Sequence, residues 1–343
     1  MLSKNFLQFL LSSFILCTIW FYSIASAATS QEVEQTLRDS SHLPLENRLW
    51  KIAASFNNSP FQWYPLGEGN GADVDPQPLY RFDVFDCQTY VETVLALSQS
   101  DTLKTFSERI QAIRYSRGVV SFETRNHFPD IDWNRNNILS GALKDITSMV
   151  AGAGNTAKIE TPFDRGQFYK TFSLKRVPMM KEKPKSIPFA LEKLKKLGEG
   201  ALKEVATIEF LKLDSLIVSF KGNKPPSEYK PLVQFIDPKN SELAQKGIPL
   251  KEWYVNTTIL SRLPSGVLIS IVRPKWDGRG HAGTPINISH RFLFFWRNGR
   301  ARIWHMSLYY KKVIEADFFD YLSGRRLDPT VQGIQILQPM QLL

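Results

Sequence analysis

The chain has 343 residues, 43% hydrophobic and 22% charged, which is enough apolar material for one large or two modest globular domains and excludes a disordered chain. Its formal charge of +10 admits an anionic partner, but no nucleic-acid-binding module is recognisable. Two cysteines are too few for a disulfide framework.

The first 27 residues read as a removable leader. Lys4 precedes an apolar run from Phe6 to Tyr22, and Ala25 and Ala27 form an A-x-A cleavage site. A mature chain is therefore expected to begin at Ala28, exported to the periplasm or secreted, with no stable membrane insertion afterwards. Cys17 leaves with the leader. Cys87 is then the one thiol, and the charge of residues 28–343 becomes 10 − 1 = +9, because the leader holds Lys4 and no acid.

Gln31 to Arg38 and Leu45 to Phe56 have helical apolar spacing. The next stretch is broken by Pro60, Pro65, Gly67, Gly69, Gly71, Pro76 and Pro78. Its aromatic residues, among them Phe61, Trp63 and Tyr64, predict an ordered loop that walls a cleft or packs over the core. Phe82 to Leu97 follows, FDVFDCQTYVETVLAL. Tyr90, Val91, Val94, Leu95 and Leu97 recur at three- and four-residue spacing, and Asp83 and Asp86 stand ready to cap the first turn, so a helix is expected to start at Cys87. A thiol at a helix start is favoured as an anion, which predicts a lowered pKa and a nucleophile. A small buried hydrophobe fits the position equally well.

Leu103 to Arg114 predicts another helix and Val119 to Phe122 a short strand. The polar and aromatic block from Glu123 to Asn134, which contains Arg125, His127 and Trp133, has no regular period and has the composition of a binding surface or a hydrogen-bonded loop. From about 140 to 262 the chain is less legible. Nine Lys or Arg between Thr171 and Glu204 include Arg176, and Phe189 to Leu202 predicts a helix with its lysines in solvent. Ile208 to Leu213 and Leu216 to Phe220 read as strands.

Gly266 to Arg273 predicts a strand, and Ile286 to Trp296 and Ala301 to Ser307 a hairpin closed by Asn298-Gly299. A two-residue turn pairs Arg297 with Arg300. Counting back, Phe292 faces His305 and His290 faces Ser307, so the two histidines share a face as diagonal neighbours roughly 7–8 Å apart at the backbone. His42, His127 and His281 are scattered and offer no ligand spacing, so neither metal nor cofactor is expected.

Together, Cys87 in FDCQTYVE, His290 in ISHRFLFF and His305 in IWHMS resemble the NlpC/P60 cell-wall cysteine hydrolases. More narrowly, the chain resembles the DUF1460 group, the N-acetylmuramoyl-L-alanine amidase-like branch. The shared blocks are Pro65 to Gly69, Asp86 to Glu92, Ile113 to Tyr115, Glu123 to Phe128 and Gly333 to Leu337, within residues 50–137 and 259–337. Phe61, Arg291, Phe292 and Met306 depart from the pattern.

The resemblance implies an α+β, papain-like NlpC/P60 fold over residues 28–343 as a single domain, the cysteine helix packed on an antiparallel sheet that carries the histidines, and a basic, poorly matched middle region at about 140–262. It implies hydrolysis of the amide between the lactyl carbonyl of N-acetylmuramic acid and L-alanine in peptidoglycan or muropeptides. Cys87 would be the nucleophile, His290 the base and later acid, and His305 its orienting partner. Trp63, Tyr64, Glu68, Arg125, His127 and Trp133 are the expected substrate-binding residues. The alternatives are an endopeptidase cutting between D-Glu and the diamino acid, and a non-catalytic cell-envelope binding protein on the same fold.

Overall fold

The computed structural model describes residues 28–180, 187–220, 225–239, 241–276, 280 and 282–341; the leader and His281 lie outside them. The helices of eight or more residues are α1 (Ser30–Ser40), α2 (Leu45–Ser55), α3 (Cys87–Ser98), α4 (Leu103–Arg114), α5 (Arg165–Lys175), α6 (Ile187–Glu199) and α7 (Phe318–Arg326). The strands are β1 (Leu143–Asp145), β2 (Thr156–Asp164), β3 (Lys203–Lys212), β4 (Ile217–Ser219), β5 (Tyr229–Pro231), β6 (Trp253–Asn256), β7 (Val267–Trp276), β8 (Ile286–Arg297), β9 (Arg300–Ser307), β10 (Lys312–Asp317) and β11 (Gly333–Pro339).

Eight strands form one sheet in the order β10-β9-β8-β7-β11-β3-β2, with β1 also on β11, and every pairing is antiparallel. The mixed α+β class with an antiparallel sheet is thus present. Alternation along β8 and β9 divides the sheet between two cores. Leu293, Phe295, Trp304 and Met306 pack with Tyr90, Val91, Val94 and Phe106 of α3 and α4. Phe292, Phe294, Ala301 and Ile303 pack on the other side with Phe318, Phe319 and Leu322 of α7.

The hairpin follows from its turn. Asn298 and Gly299 take φ of 51° and 73°, a left-handed pair that asparagine and glycine adopt readily, and Arg297 pairs with Arg300. The ladder runs on to Leu293 and Trp304 and then stops. Across β7, Ile271 pairs with His290 but Val272 with Ile288, so Ser289 is skipped and a bulge precedes His290.

The expected strand at Val119 to Phe122 is instead a turn. Arg117 and Gly118 have φ of 56° and 69°, and the Ser121 and Thr124 side chains bond one another and the local backbone, which competes with a ladder.

Candidate active site

Cys87 is the first residue of α3 because Asp86 caps it. The Asp86 carboxylate accepts from the backbone N–H groups of Gln88 (3.1 Å) and Thr89 (2.8 Å), and the Thr89 hydroxyl accepts from the Asp86 N–H (2.9 Å). The same cap opposes ionisation of the sulfur. Burial, and after it the Asp86 carboxylate, push the Cys87 thiol up to about 12. The Arg291 guanidinium and the backbone N–H groups of Arg291 and Cys87 pull the other way without prevailing. The lowered thiol pKa expected at a helix start is therefore corrected: in this site desolvation and an adjacent carboxylate raise it.

The histidines meet as the hairpin register requires. His290 Nε2 lies 3.1 Å from His305 Nδ1, the ring centroids are 5.3 Å apart, and the Tyr321 ring of α7 covers both, 5.1 Å from His305 and 6.1 Å from His290. Burial holds His290 well below the usual imidazole range and His305 down at about 3, so both rings are neutral at pH 7. With Nε2 of His290 engaged, its Nδ1 is the nitrogen left to act on another group.

The rings continue the Phe292 and Ile303 face of the hairpin, whereas Cys87 packs with the core on the opposite face. Both sides reach one cavity of about 690 Å³, whose lining includes Cys87, Ser289, His290, Arg291 and His305. Among the described residues no hydrogen bond joins the sulfur to either ring. Cys87 is near enough to Tyr321, whose ring lies 5.1 and 6.1 Å from the two imidazoles, for an ionised sulfur to raise the phenol further.

A folded-state pKa below the unfolded value has a definite consequence. For each histidine the stability is present above about pH 6.5 and is lost as pH falls towards the folded value. Urea unfolding is expected to show stability falling between pH 7 and pH 4, by at most about 1.4 kcal/mol per pH unit for each ring. In a His290→Gln, His305→Gln double variant the slope is expected to be shallower, and an unchanged slope would contradict neutral buried rings.

Of the expected substrate-binding residues, Trp63, Tyr64, Arg125 and His127 line the cavity. Glu68 and Trp133 are not among its lining residues and sit one layer behind. Glu68 is paired with Arg125, whose second partner is the fully buried Asp75 (2.9 Å). Trp133 is buried beneath the Arg291 guanidinium, 4.5 Å from its ring. His127 is turned to the backbone, with Nε2 2.8 Å from the Phe122 carbonyl, and burial keeps it neutral. Phe61 packs edge-on to Trp63 at 4.8 Å and also lines the cavity.

The glycine loop beneath this wall is closely tied. Gly67, Glu68 and Gly69 N–H groups donate to the carbonyls of Pro78, Asp75 and Gln77 at 3.0, 2.8 and 2.8 Å, and the Tyr115 hydroxyl donates to the Gly67 carbonyl at 3.0 Å. A Cβ on Gly67 would lie 2.3 Å from the Asp75 carbonyl oxygen, with backbone rather than a movable side chain in the way. Gly67→Ala is expected to lower stability by about 1–3 kcal/mol in urea unfolding. A loss below a few tenths would show that the loop yields freely.

The middle region supplies wall residues that the sequence reading did not single out. Phe168, Phe172 and Arg176 reach the cavity from α5 and the residue after it, and their i, i+4, i+8 spacing is the signal that marks one helix face. Tyr321 and Arg325 of α7 and Arg273 of β7 also line it, with no motif to announce them.

Comparison with known proteins places this architecture. A family model described as AmiA-like, N-acetylmuramoyl-L-alanine amidase-like, matches residues 51–222, which include Cys87 and run unbroken through the first part of the middle region. Of solved structures, a DUF1460 protein from Legionella pneumophila is 27% identical, with a TM-score of 0.73, over 92% of this chain and 97% of that one. An N-acetylmuramoyl-L-alanine amidase from Bacteroides uniformis shares the fold at 19% identity and a TM-score of 0.51, over 86% of this chain and 99% of that one. No curated protein matches. The chain belongs to the AmiA-like, N-acetylmuramoyl-L-alanine amidase-like family.

Proposed function

We propose that the protein is an exported cysteine amidase of papain-like NlpC/P60 type, one domain over residues 28–343, which hydrolyses the amide between the lactyl carbonyl of N-acetylmuramic acid and L-alanine in peptidoglycan fragments. The observation that carries the reading is a capped thiol and a bonded imidazole pair lining one cavity, in a chain of the amidase-like family. Export rests on the leader. Among the described residues no helix is long and apolar enough to cross a membrane.

The protonation states favour a neutral thiol–imidazole mechanism over a standing ion pair. Substrate draws the sulfur and His290 together, as catalytic contacts that are long in a free enzyme tighten in its complex. His290 Nδ1 takes the thiol proton as Cys87 Sγ attacks the lactyl carbonyl, and the Cys87 backbone N–H at the start of α3 stabilises the oxyanion. Collapse breaks the C–N bond, and His290 returns the proton to the departing L-alanine amine. Water, deprotonated by His290, then cleaves the muramoyl thioester to a carboxylate and restores the thiol. His305 positions His290: accepting the Nε2–H at Nδ1 leaves the His290 Nδ1 lone pair free.

The resting sulfur, raised in pKa and unbonded to either ring, is the observation that favours a non-catalytic binder on this fold. Mass spectrometry of a muropeptide digest decides. The amidase releases a peptide with a new L-alanine amino terminus and a sugar that keeps its lactyl carboxylate. Cleavage after D-Glu would mean the endopeptidase instead, and intact muropeptides would leave the binder.

A further inference from the structure

The cavity holds seven cationic side chains, and six are accounted for. Arg114 pairs with Glu92, Arg125 with Glu68 and Asp75, Lys246 with Glu242 and Arg273 with Asp328. Arg291 donates through Nη2 to Pro129 and Asn134 while its buried Nε and Nη1 have no partner among the described residues, and Arg325 is exposed over Tyr321. Arg176 differs in that an aromatic ring, rather than any hydrogen-bond acceptor or ion-pair partner among the described residues, holds its guanidinium. It is only 7% exposed, its guanidinium carbon lies 3.2 Å from the Tyr64 ring centroid, and its buried Nη1 has no hydrogen-bond partner among the described residues.

Stacking occupies the face of a guanidinium and leaves its N–H edge, the part that matches a carboxylate in a two-pronged pair. Asp75 and Asp86 act on Arg176 from a distance, but no carboxylate among the described residues is within ion-pair reach of it, and a buried cation without such a partner is costly to fold unless a ligand supplies the anion. Burial already draws Arg176 down to about 10, the direction expected of a charge awaiting its partner. The surroundings narrow the ligand. Phe168 and Phe172 stand i+4 apart on the same helix face, Phe61 and Trp63 continue the aromatic wall, and Cys87 lines the same cavity. A compact carboxylate carried near the scissile amide fits, rather than a long polyanion.

We infer that Arg176, stacked on Tyr64, is the carboxylate-binding residue of the site and selects stem peptides whose D-glutamate α-carboxyl is free over those in which it is amidated. The inference rests on the amidase reading for its choice of ligand, and it is tested without turnover. The Cys87→Ala protein is titrated calorimetrically with two muramoyl tripeptides that differ only in a free or amidated D-glutamate α-carboxyl. The free acid is expected to bind about 10- to 100-fold more tightly, the amount a charge-assisted pair contributes. Adding Arg176→Gln is expected to abolish that preference, and Arg176→Lys, which keeps charge but loses the fork, to restore part of it. Melting curves establish that each variant is folded, and the lysine variant carries the comparison if the glutamine one is not. Equal binding of the two ligands, binding of neither, or an equal loss for both on Arg176→Gln overturns the inference. Intact muropeptides after digestion by the unaltered enzyme would sink the amidase reading instead, leaving the binding preference to be read by itself.

Discussion

Cys87→Ala is expected to lower muropeptide hydrolysis by at least about 10³-fold while the protein stays folded, because removing a covalent nucleophile leaves only binding and oxyanion stabilisation. The fold should tolerate the change. Cys87 is half-buried at the first position of α3, the helix start is held by Asp86 and Thr89, and alanine is the better helix former. The melting temperature is expected to stay within about 2 °C, the shift that about 1 kcal/mol produces at this size. Hydrolysis assays beside melting curves check both halves. A variant that keeps full activity ends the cysteine mechanism, and one that unfolds makes the thiol a structural element.

Arg125→Met is expected to have the largest effect on stability, about 3–5 kcal/mol at pH 7, the range for removing one partner of a buried ion pair. Arg125 bridges Glu68 and Asp75 beneath the Tyr64 wall, and without it two buried carboxylates face one another unpaired. The pH dependence has a sign. Burial already raises the Glu68 carboxyl above its ordinary value despite Arg125. A raised folded pKa gives stability that is full below the unfolded value and drains as pH rises through the folded one. Loss of the guanidinium raises Glu68 further. The deficit of the variant relative to the unaltered protein should therefore shrink on moving from pH 7 to pH 4.5. The neutral histidines slope the other way in both proteins and cancel in that difference. Urea unfolding at the two pH values measures it, and a deficit that grows in acid would contradict the assignment.

What could be read before the fold was known is what local chemistry determines. An aspartate before a cysteine and an apolar period after it mark a capped helix, and α3 begins at Cys87. Asn298-Gly299 sets its own register, which is why the imidazole pair could be deduced by counting. The α+β class came from the family resemblance rather than from these local signals. Long-range terms stayed hidden. The thiol pKa depends on how deeply α3 is buried and on Arg291 arriving from β8, and neither is encoded near Cys87. Arg176 looked like one more charge in a basic stretch because its pocket is completed by Tyr64, more than a hundred residues earlier. Glu68 and Trp133 carry side chains suited to substrate, but neighbouring arginines occupy them. The turn at Val119 to Phe122 fails as a strand because side-chain hydrogen bonds close it locally.

Quenching the enzyme in acid during turnover of a muropeptide, then measuring intact and peptide masses, tests the covalent mechanism most directly, since a thioester survives acid. A muramoyl adduct on the peptide that contains Cys87, absent when substrate is withheld, is the predicted result. Product formation with no adduct, together with an active Cys87→Ala protein, would contradict it.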